Sequence, residues 1–483
     1  MTPRRLFVTG RLAEPALRQV LRETLGAPGD RYEIAVLPIS VAALMRVEWV
    51  ARKLQPSPEI HEVVLPGWCG GDISWLSQHW QKTVVRGPRD LFDLPAYLGG
   101  GVPPPVELTE HRLEILAEIN HAPRLSEREL LQQAEQYRAA GADIIDLGCI
   151  PGEPWPQLAH AVRMLKGEGF RLSLDSFDRG EVESAVDAGV ELVLSARLDN
   201  CQWAAQLPVE WVVIPQDPQD LTGLEQAAEI LHQAGRVCRW DPILEPIGYG
   251  FAASLARYYE VRRRHPQVPM LMGIGNLTEL TEVDSAGVNL LLIALCTELN
   301  IGSVLTTEVA NWCRSAVREC DVARRLAWYA VQHRVLPKRL DDRLLMLRDS
   351  RLVTRGEPTL QRWAAQLRDA NFRIFVERGE IHVMNRAGYW RGEDPASLFD
   401  QMLRDSGPVT PEHAFYLGME LMKARTALTL GKNYVQDEAL RWGLLTVAER
   451  GSHAWQGEVP GKRAEAPRAG RDPTDDDDER PQA

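Results

Sequence analysis

One pattern repeats eight times between Leu113 and the neighbourhood of Ala330. An apolar run ends in a polar residue, and in most cases a helix-length segment follows before the next run. The runs are 115–120 (ILAEIN), 143–148 (DIIDLG), 171–176 (RLSLDS), 192–196 (LVLSA), 211–215 (WVVIP), 237–242 (VCRWDP), 270–276 (MLMGIGN) and 303–308 (SVLTTE). Eight β units at this spacing match the count and size of a single (β/α)₈ TIM barrel, expected over 111–332. The gap between the fourth and fifth runs is poor in helix signal. Polar residues stand where the strands finish, and a barrel of this kind keeps its active site there. The pattern points to an enzyme.

The flanks read differently. Runs at 5–10 (RLFVTG), 32–40 (YEIAVLPIS) and 60–66 (IHEVVLP), separated by amphipathic stretches, predict a small Rossmann-like α/β domain over 1–100. Its glycines close strands, and no GxGxxG is present. The run Gly99-Gly100-Gly101-Val102-Pro103-Pro104-Pro105 marks a linker. A small α+β domain is expected over 335–452. In it, Asn371–Asn385 forms a hairpin about Arg378-Gly379, and Pro411–Leu430 and Gln436–Leu445 are helical. The end, 456–483, carries DPTDDDDER and reads as a disordered acidic tail.

Charge and composition narrow the class. A net charge of −12 over 483 residues argues against nucleic-acid binding. No apolar run approaches the roughly 20 residues that span a bilayer, and the opening MTPRRLFVTGRLAEP is too short in its apolar part for a signal peptide. Seven cysteines lie scattered without CxxC or Cys/His metal spacing, the usage of a reducing compartment. The expectation is a cytoplasmic protein with no nucleic-acid or membrane partner; a homodimer is the assembly considered.

The strand ends collect Asn120 and His121, Asp146, Asp175, Ser195 with Arg197, Gln216 and Asp217, Asp241, Asn276, and Thr306, Thr307 and Glu308. Carboxylates and amides dominate. There is no Ser–His–Asp arrangement, no cluster of histidine ligands and no lysine for Schiff-base chemistry. Such a rim suits a flat, neutral heterocycle with an amidine-like edge, because a carboxylate accepts two parallel N–H bonds from a 2-amino-pyrimidinone. Simpler readings stand beside this one. Asp175 and Asp241 could each be the N-cap of the next helix, Asp146 could pair inside the barrel, and His121 could be a surface-loop residue.

EINHAP, AAGADIIDLG, SLDSF and DPILEPIGYGF, in that order, resemble the motif set of dihydropteroate synthases and their pterin-binding relatives. MGIGNLTELTEVDSAGVNLLLIALCTELNIGSVLTTE and HAFYLGMELMKARTALTLGKNYVQDEALRWG resemble one branch, the synthase-related proteins of organisms that use tetrahydromethanopterin. The resemblance spans everything but the tail. It implies a transferase joining a dihydropterin diphosphate to an arylamine with release of pyrophosphate, in tetrahydromethanopterin or folate-type synthesis. Asn120, Asp175 and Asp241 match the family positions that hold the pterin or the leaving pyrophosphate with its Mg²⁺, and Asn120 is the implied metal ligand. The implied substrate-binding set is Asn120, Asp146, Asp175, Ser195, Asp241, Gly273, Asn276, Thr307 and Glu308, with Asp175, Asp241 and Arg197 catalytic. The implied partners are a pterin and an arylamine.

The chain departs from the synthases where chemistry needs positive charge. Gly275-Asn276-Leu277 stands in place of a Ser-Arg-Lys, and Thr306-Thr307-Glu308 in place of an Arg-x-His. A diphosphate leaving group wants cationic or metal stabilisation, for which Arg197, Arg239, His121 and Arg124 are the replacements in view. The fourth-strand asparagine is also missing, with Ser195 or Asn200 as stand-ins. GIGNLTE resembles the motif of pterin-dependent methyltransferases, which pass a methyl group from methyl-tetrahydropterin to a corrinoid protein. A non-catalytic pterin-binding protein is the third alternative.

Overall fold

The structure, a computed structural model, describes residues 4–29, 31–99 and 106–448. Most of the Gly99–Pro105 segment and the tail 456–483 lie outside them. The chain divides into two compact units, one running to Glu110 and including Tyr329–Leu340, the other holding His111–Trp328 and the residues from Asp341 onward.

The first unit is built on four parallel strands, β1 (Arg5–Gly10), β2 (Tyr32–Leu37), β3 (Glu62–Leu65) and β4 (Thr83–Arg86), in the order β2-β1-β3-β4. Alternate residues face opposite layers, as the two-residue side-chain period of a strand requires. Leu6, Val8, Val63 and Leu65 pack with Val47, Val50, Leu76 and Trp80, while Phe7 and Val64 pack with Leu17, Leu21 and Leu94. Helices Glu14–Leu25, Val47–Lys53 and Ile73–Trp80 cover the two faces. The fourth strand, TVVR, was too short to stand out in the sequence.

The second unit holds the barrel. Its strands are β5 (Glu114–Ile119), β6 (Ile144–Gly148), β7 (Leu172–Asp175), β8 (Leu192–Ala196), β9 (Glu210–Val213), β10 (Cys238–Trp240), β11 (Leu271–Gly273) and β12 (Ser303–Thr306). All eight pair in parallel in the order β10-β9-β8-β7-β6-β5-β12-β11. A bridge between Trp240 and Met270 brings β10 against β11, with the Trp240 N–H donating to Pro269 O at 2.9 Å. The fold is therefore the (β/α)₈ barrel that the run pattern predicts. The weak fourth gap holds only the one-turn helix Cys201–Ala204.

The barrel interior is layered. At the base, Glu114 accepts from Arg171 (2.6 Å) and Arg239 (2.8 Å), and Arg239 also makes a two-point contact with Glu210 at 2.9 and 3.1 Å. Above it lies an apolar belt of Leu116, Ile144, Leu192, Leu194, Val212 and Leu271. Above that, toward the strand C-termini, the inward positions become polar.

From Asp341 on, an antiparallel sheet of β13 (Arg373–Glu377), β14 (Glu380–Asn385) and β15 (Gly388–Gly392) packs against helices Pro395–Ser406 and Pro411–Leu430. The hairpin turns at Arg378 and Gly379, both at positive φ (53° and 86°), the conformation of a type I′ turn. The predicted helix Gln436–Leu445 is absent; only Gly443–Leu445 forms a 3₁₀ turn. The Gln436 side chain instead binds the β13 edge, accepting from Ile374 N and donating to Phe372 O, and Asp437 sits at φ 68°. Tertiary pairing overrides the helical pattern there. Helix Glu357–Gln366 and strand β15 were not foreseen.

Candidate functional site

Inward-facing positions on neighbouring strands bring three carboxylates together at the barrel mouth. Glu118 is in register with Asp146, Asp146 with Ser173, and Gly148 with Asp175. Asp146 is fully buried; its Oδ1 accepts from Ser173 Oγ at 2.5 Å, while its Oδ2 has no partner. Gly148 is required for this arrangement, because a Cβ there would come within 2.7 Å of Glu118 Oε1. Asn120 Nδ2 donates to Glu118 Oε1 at 3.4 Å, and Asn120 Oδ1 is buried without a partner.

Charges this close and this dry cannot all ionise at once. Burial, then Asp175 and Glu279, raise Glu118 to about 7. Burial raises Asp175 to about 6. Burial, then Asp175 and Glu118, push Asp146 well above the carboxylate range. The carboxyls at the mouth therefore hold their protons to higher pH than free carboxylates do.

A second group forms where β10 and β11 end. Asp241 Oδ1 accepts from Tyr258 Oη (2.5 Å) and Ile243 N (2.8 Å). Ile243 is at φ 68°, a costly conformation for a β-branched residue, and such strain gathers at functional sites. Burial raises Asp241 to about 6 against the pull of Tyr258 and of the Ile243 and Gly273 N–H groups. A Cβ on Gly273 would lie 3.8 Å from both Asp241 Oδ2 and Asn276 Nδ2. The missing side chain thus leaves a carboxylate oxygen and an amide next to open backbone. Asn276 Nδ2 also donates to Leu244 O at 3.2 Å.

The helix-cap readings fail for both aspartates. The helix after β7 is capped by Asp178, which accepts from Glu181 N, and the helix Phe251–Arg264 is preceded by Gly250. Asp146 does pair within the barrel, and His121 is exposed at φ 53°. Ser195 is buried at a register shift in β8, its carbonyl accepting from Asn200 Nδ2 at 3.1 Å. Thr307 is buried, and its methyl group would meet a Cβ on Gly275 at 2.7 Å. Glu308 accepts from Val317 N (3.0 Å) at the start of helix Ala316–His333 and is raised to about 7 by burial. A cavity of about 380 Å³ opens beside Asp175 between the β6 and β7 loops, walled by Cys149, Pro151, Glu153, Phe177 and Glu181.

The arginines do not gather where a diphosphate would need them. Arg197 pairs with Asp199 at 3.1 Å and lies over the Phe177 ring at 4.6 Å. Arg124 pairs with Glu153 (3.1 Å) and Arg257 with Glu245 (2.7 Å). Arg239 belongs to the ionic base, bound to Glu114 and Glu210, so it is not a phosphate ligand at the mouth. Among the described residues no group of three His, Cys, Asp or Glu side chains could hold a metal ion, and Asn120 offers one oxygen.

Sequence reasoning missed Glu118 and Tyr258. Glu118 shares its inward parity with Asn120, two positions along the same strand, and that was a readable signal. Tyr258 comes from the following helix and meets Asp241 only through the fold.

Residues 4–89 match a model described as a family of unknown function (DUF6513), and residues 364–437 match one described as PterinBD-DUF4346. A protein of Methanocaldococcus jannaschii, described as uncharacterized, is 29% identical over 366 residues, covering 67% of this chain and 69% of its own. Solved structures with similarity include three dihydropteroate synthases. That of Thermus thermophilus in complex with 4-aminobenzoate is 22% identical (TM-score 0.35, 47% of this chain, 96% of its own). That of Burkholderia cenocepacia complexed with 7,8-dihydropteroate is 20% identical (TM-score 0.36, 47% and 94%). That of Yersinia pestis with a pterine-sulfa conjugate is 19% identical (TM-score 0.37, 46% and 95%). The chain thus joins a (β/α)₈ barrel to a C-terminal segment that matches the PterinBD-DUF4346 model. Among the described residues, no helix is long and apolar enough to cross a membrane.

Proposed function

We propose that the barrel mouth binds a reduced pterin and that the protein is a pterin-dependent transferase of the dihydropteroate synthase type, serving tetrahydromethanopterin or folate-type synthesis. One observation carries the reading: Asp241 Oδ2 and Asn276 Nδ2 flank the bare backbone of Gly273. A carboxylate beside an amide matches the donor-rich edge of a 2-amino-4-oxo-pyrimidine ring, and a missing side chain leaves room for a flat ligand. Tyr258 and the strained Ile243 fix the carboxylate before the ligand arrives, which lowers the ordering cost of binding. Glu118, Asp146 and Asp175 would then face the reacting part of the pterin as a proton-sharing group able to give or take a proton near neutral pH.

A second reading is favoured by the ion pairing of Arg124, Arg197 and Arg257. Cations already engaged are poor stabilisers of a departing diphosphate. Methyl transfer from a methyl-tetrahydropterin has no such leaving group. Incubating the protein with hydroxymethyl-dihydropterin diphosphate, with and without an arylamine, separates the readings. Arylamine-dependent pyrophosphate release supports the synthase-type transferase; in a parallel incubation with methyl-tetrahydropterin and cobalamin, methyl transfer to the cobalamin supports the second reading. Binding without turnover leaves a carrier. Absence of any pterin binding defeats all three.

A further inference from the structure

The first unit has a crevice of its own. In the order β2-β1-β3-β4, the chain leaves β1 to one side for β2 and returns to the other side for β3. The point where the winding reverses lies between β1 and β3. In open parallel sheets the crevice beyond the strand C-termini at that point is where ligands bind, since the two connections diverge there and leave a gap. A cavity of about 160 Å³ occupies this place. Thr9 and Ala13 beyond the middle of β1, Pro66 to Trp68 after β3, and Gly87 to Arg89 after β4 form its rim, with Phe7, Leu17 and Leu94 as its floor.

Its walls are held in place. Arg86 donates to Cys69 O at 2.7 Å and to Gly71 O, tying the β3 loop to β4. Gly67 lies so close to the next loop that a Cβ would sit 2.4 Å from Pro88 O, and a Cβ on Gly10 would sit 2.7 Å from Ile39 O. The crevice is therefore set by backbone packing before any ligand enters.

Its chemistry selects the occupant. The lining is mostly apolar, and Trp68 is 57% exposed at the rim, with Leu12 and Leu44 also exposed on the loops that follow β1 and β2. Arg89 lies over the Trp68 ring at 4.4 Å, and among the described residues no carboxylate pairs with it. An arginine stacked on an aromatic ring keeps its in-plane N–H fork free for an anion. Charge complementarity therefore asks for one negative group beside a flat apolar body. An apolar cavity of about 150 Å³ accommodates a single benzene-sized ring. A dinucleotide is too large, and the GxGxxG turn that would hold its pyrophosphate is absent.

We propose that this crevice is a binding site for a small aromatic anion, a single ring bearing one carboxylate or phosphate, with the ring in the apolar cavity and the anion on Arg89. The site stands apart from the pterin reading, which concerns other residues.

The test uses the full chain labelled with 5-fluorotryptophan. The Trp68 resonance is assigned from the Trp68→Phe variant, and phenyl phosphate, benzoate and neutral benzyl alcohol are the probes. The expected result is a saturable shift of Trp68 with an anionic probe, at least about tenfold weaker in Arg89→Gln and for benzyl alcohol. Asp241→Asn should leave that titration unchanged. No saturable shift with either anion up to about 20 mM, where a weak fragment would still register, overturns the proposal. So does equal affinity in Arg89→Gln, or for benzyl alcohol.

Discussion

Replacing Glu118 by glutamine isolates what it costs to charge the barrel mouth. The side chain keeps its size, and Gln Oε1 can still accept from Asn120 Nδ2. In the fold, burial and the neighbouring Asp175 and Glu279 hold the carboxyl at about 7 rather than 4.5. At about 1.4 kcal/mol per pH unit, the ionised form is disfavoured by about 3 kcal/mol in the folded state. A carboxyl raised on folding contributes stability that is complete below its unfolded value and is lost as pH rises through its folded value. Wild type should therefore weaken between pH 4.5 and about 8, and Glu118→Gln should lose less over the same window. The variant should gain about 2–3 kcal/mol near pH 8, roughly 5–10 °C in the barrel's melting transition, and almost nothing near pH 4.5. Thermal unfolding followed by circular dichroism at the two pH values measures it. Destabilisation near pH 8, or an equal change at both pH values, would refute the assignment of Glu118 to a like-charge cluster.

Asp241→Asn exchanges an acceptor-only group for one that presents donors to the pterin edge, and should weaken dihydropterin binding by about 2–4 kcal/mol in a fluorescence titration; unchanged affinity with an intact fold would make Asp241 a purely structural partner of Tyr258. Tyr258→Phe removes a donor from the Asp241 carboxylate, so the Asp241 titration, followed by the pH dependence of pterin binding, should move upward from about 6. Arg239→Ala leaves Glu210 without its arginine at the barrel base while Glu114 keeps Arg171, and should cost about 1–3 kcal/mol of stability in urea unfolding, with pterin affinity retained in the folded fraction. Gly148→Ala places a methyl group on Glu118 Oε1; ligand binding should fall more than the melting temperature, and the reverse pattern would show that Gly148 serves the strand alone.

The fold was legible because each barrel strand is a short apolar run whose end is polar, a signal that survives in one dimension. The hairpin was legible for the same reason, since Arg378-Gly379 announces its turn. What failed needed the third dimension. Arg239 stands two residues before Asp241 on the same inward parity, but one layer lower, roughly 7 Å along the strand, and there it meets Glu114 and Glu210 rather than a ligand. Arg197 looked free in sequence, yet its partner Asp199 is two residues away. Asp175 and Asp241 could not be told from helix caps until Asp178 and Gly250 were seen preceding the helices. Gln436–Leu445 has helical spacing, but the Gln436 amide is worth more to the open edge of β13 than to a helix.

The apolar belt inside the barrel separates foundation from workspace. Below it, arginines and glutamates close on one another and anchor the strands; above it, like charges are crowded together. Substitutions above the belt tend to relieve repulsion, whereas those below leave a charge stranded. Changes among Glu118, Asp146, Asp175, Asp241 and Asn276 alter the mouth while leaving the ionic base untouched. A barrel layered in this order can be retooled from the top without being rebuilt from the bottom.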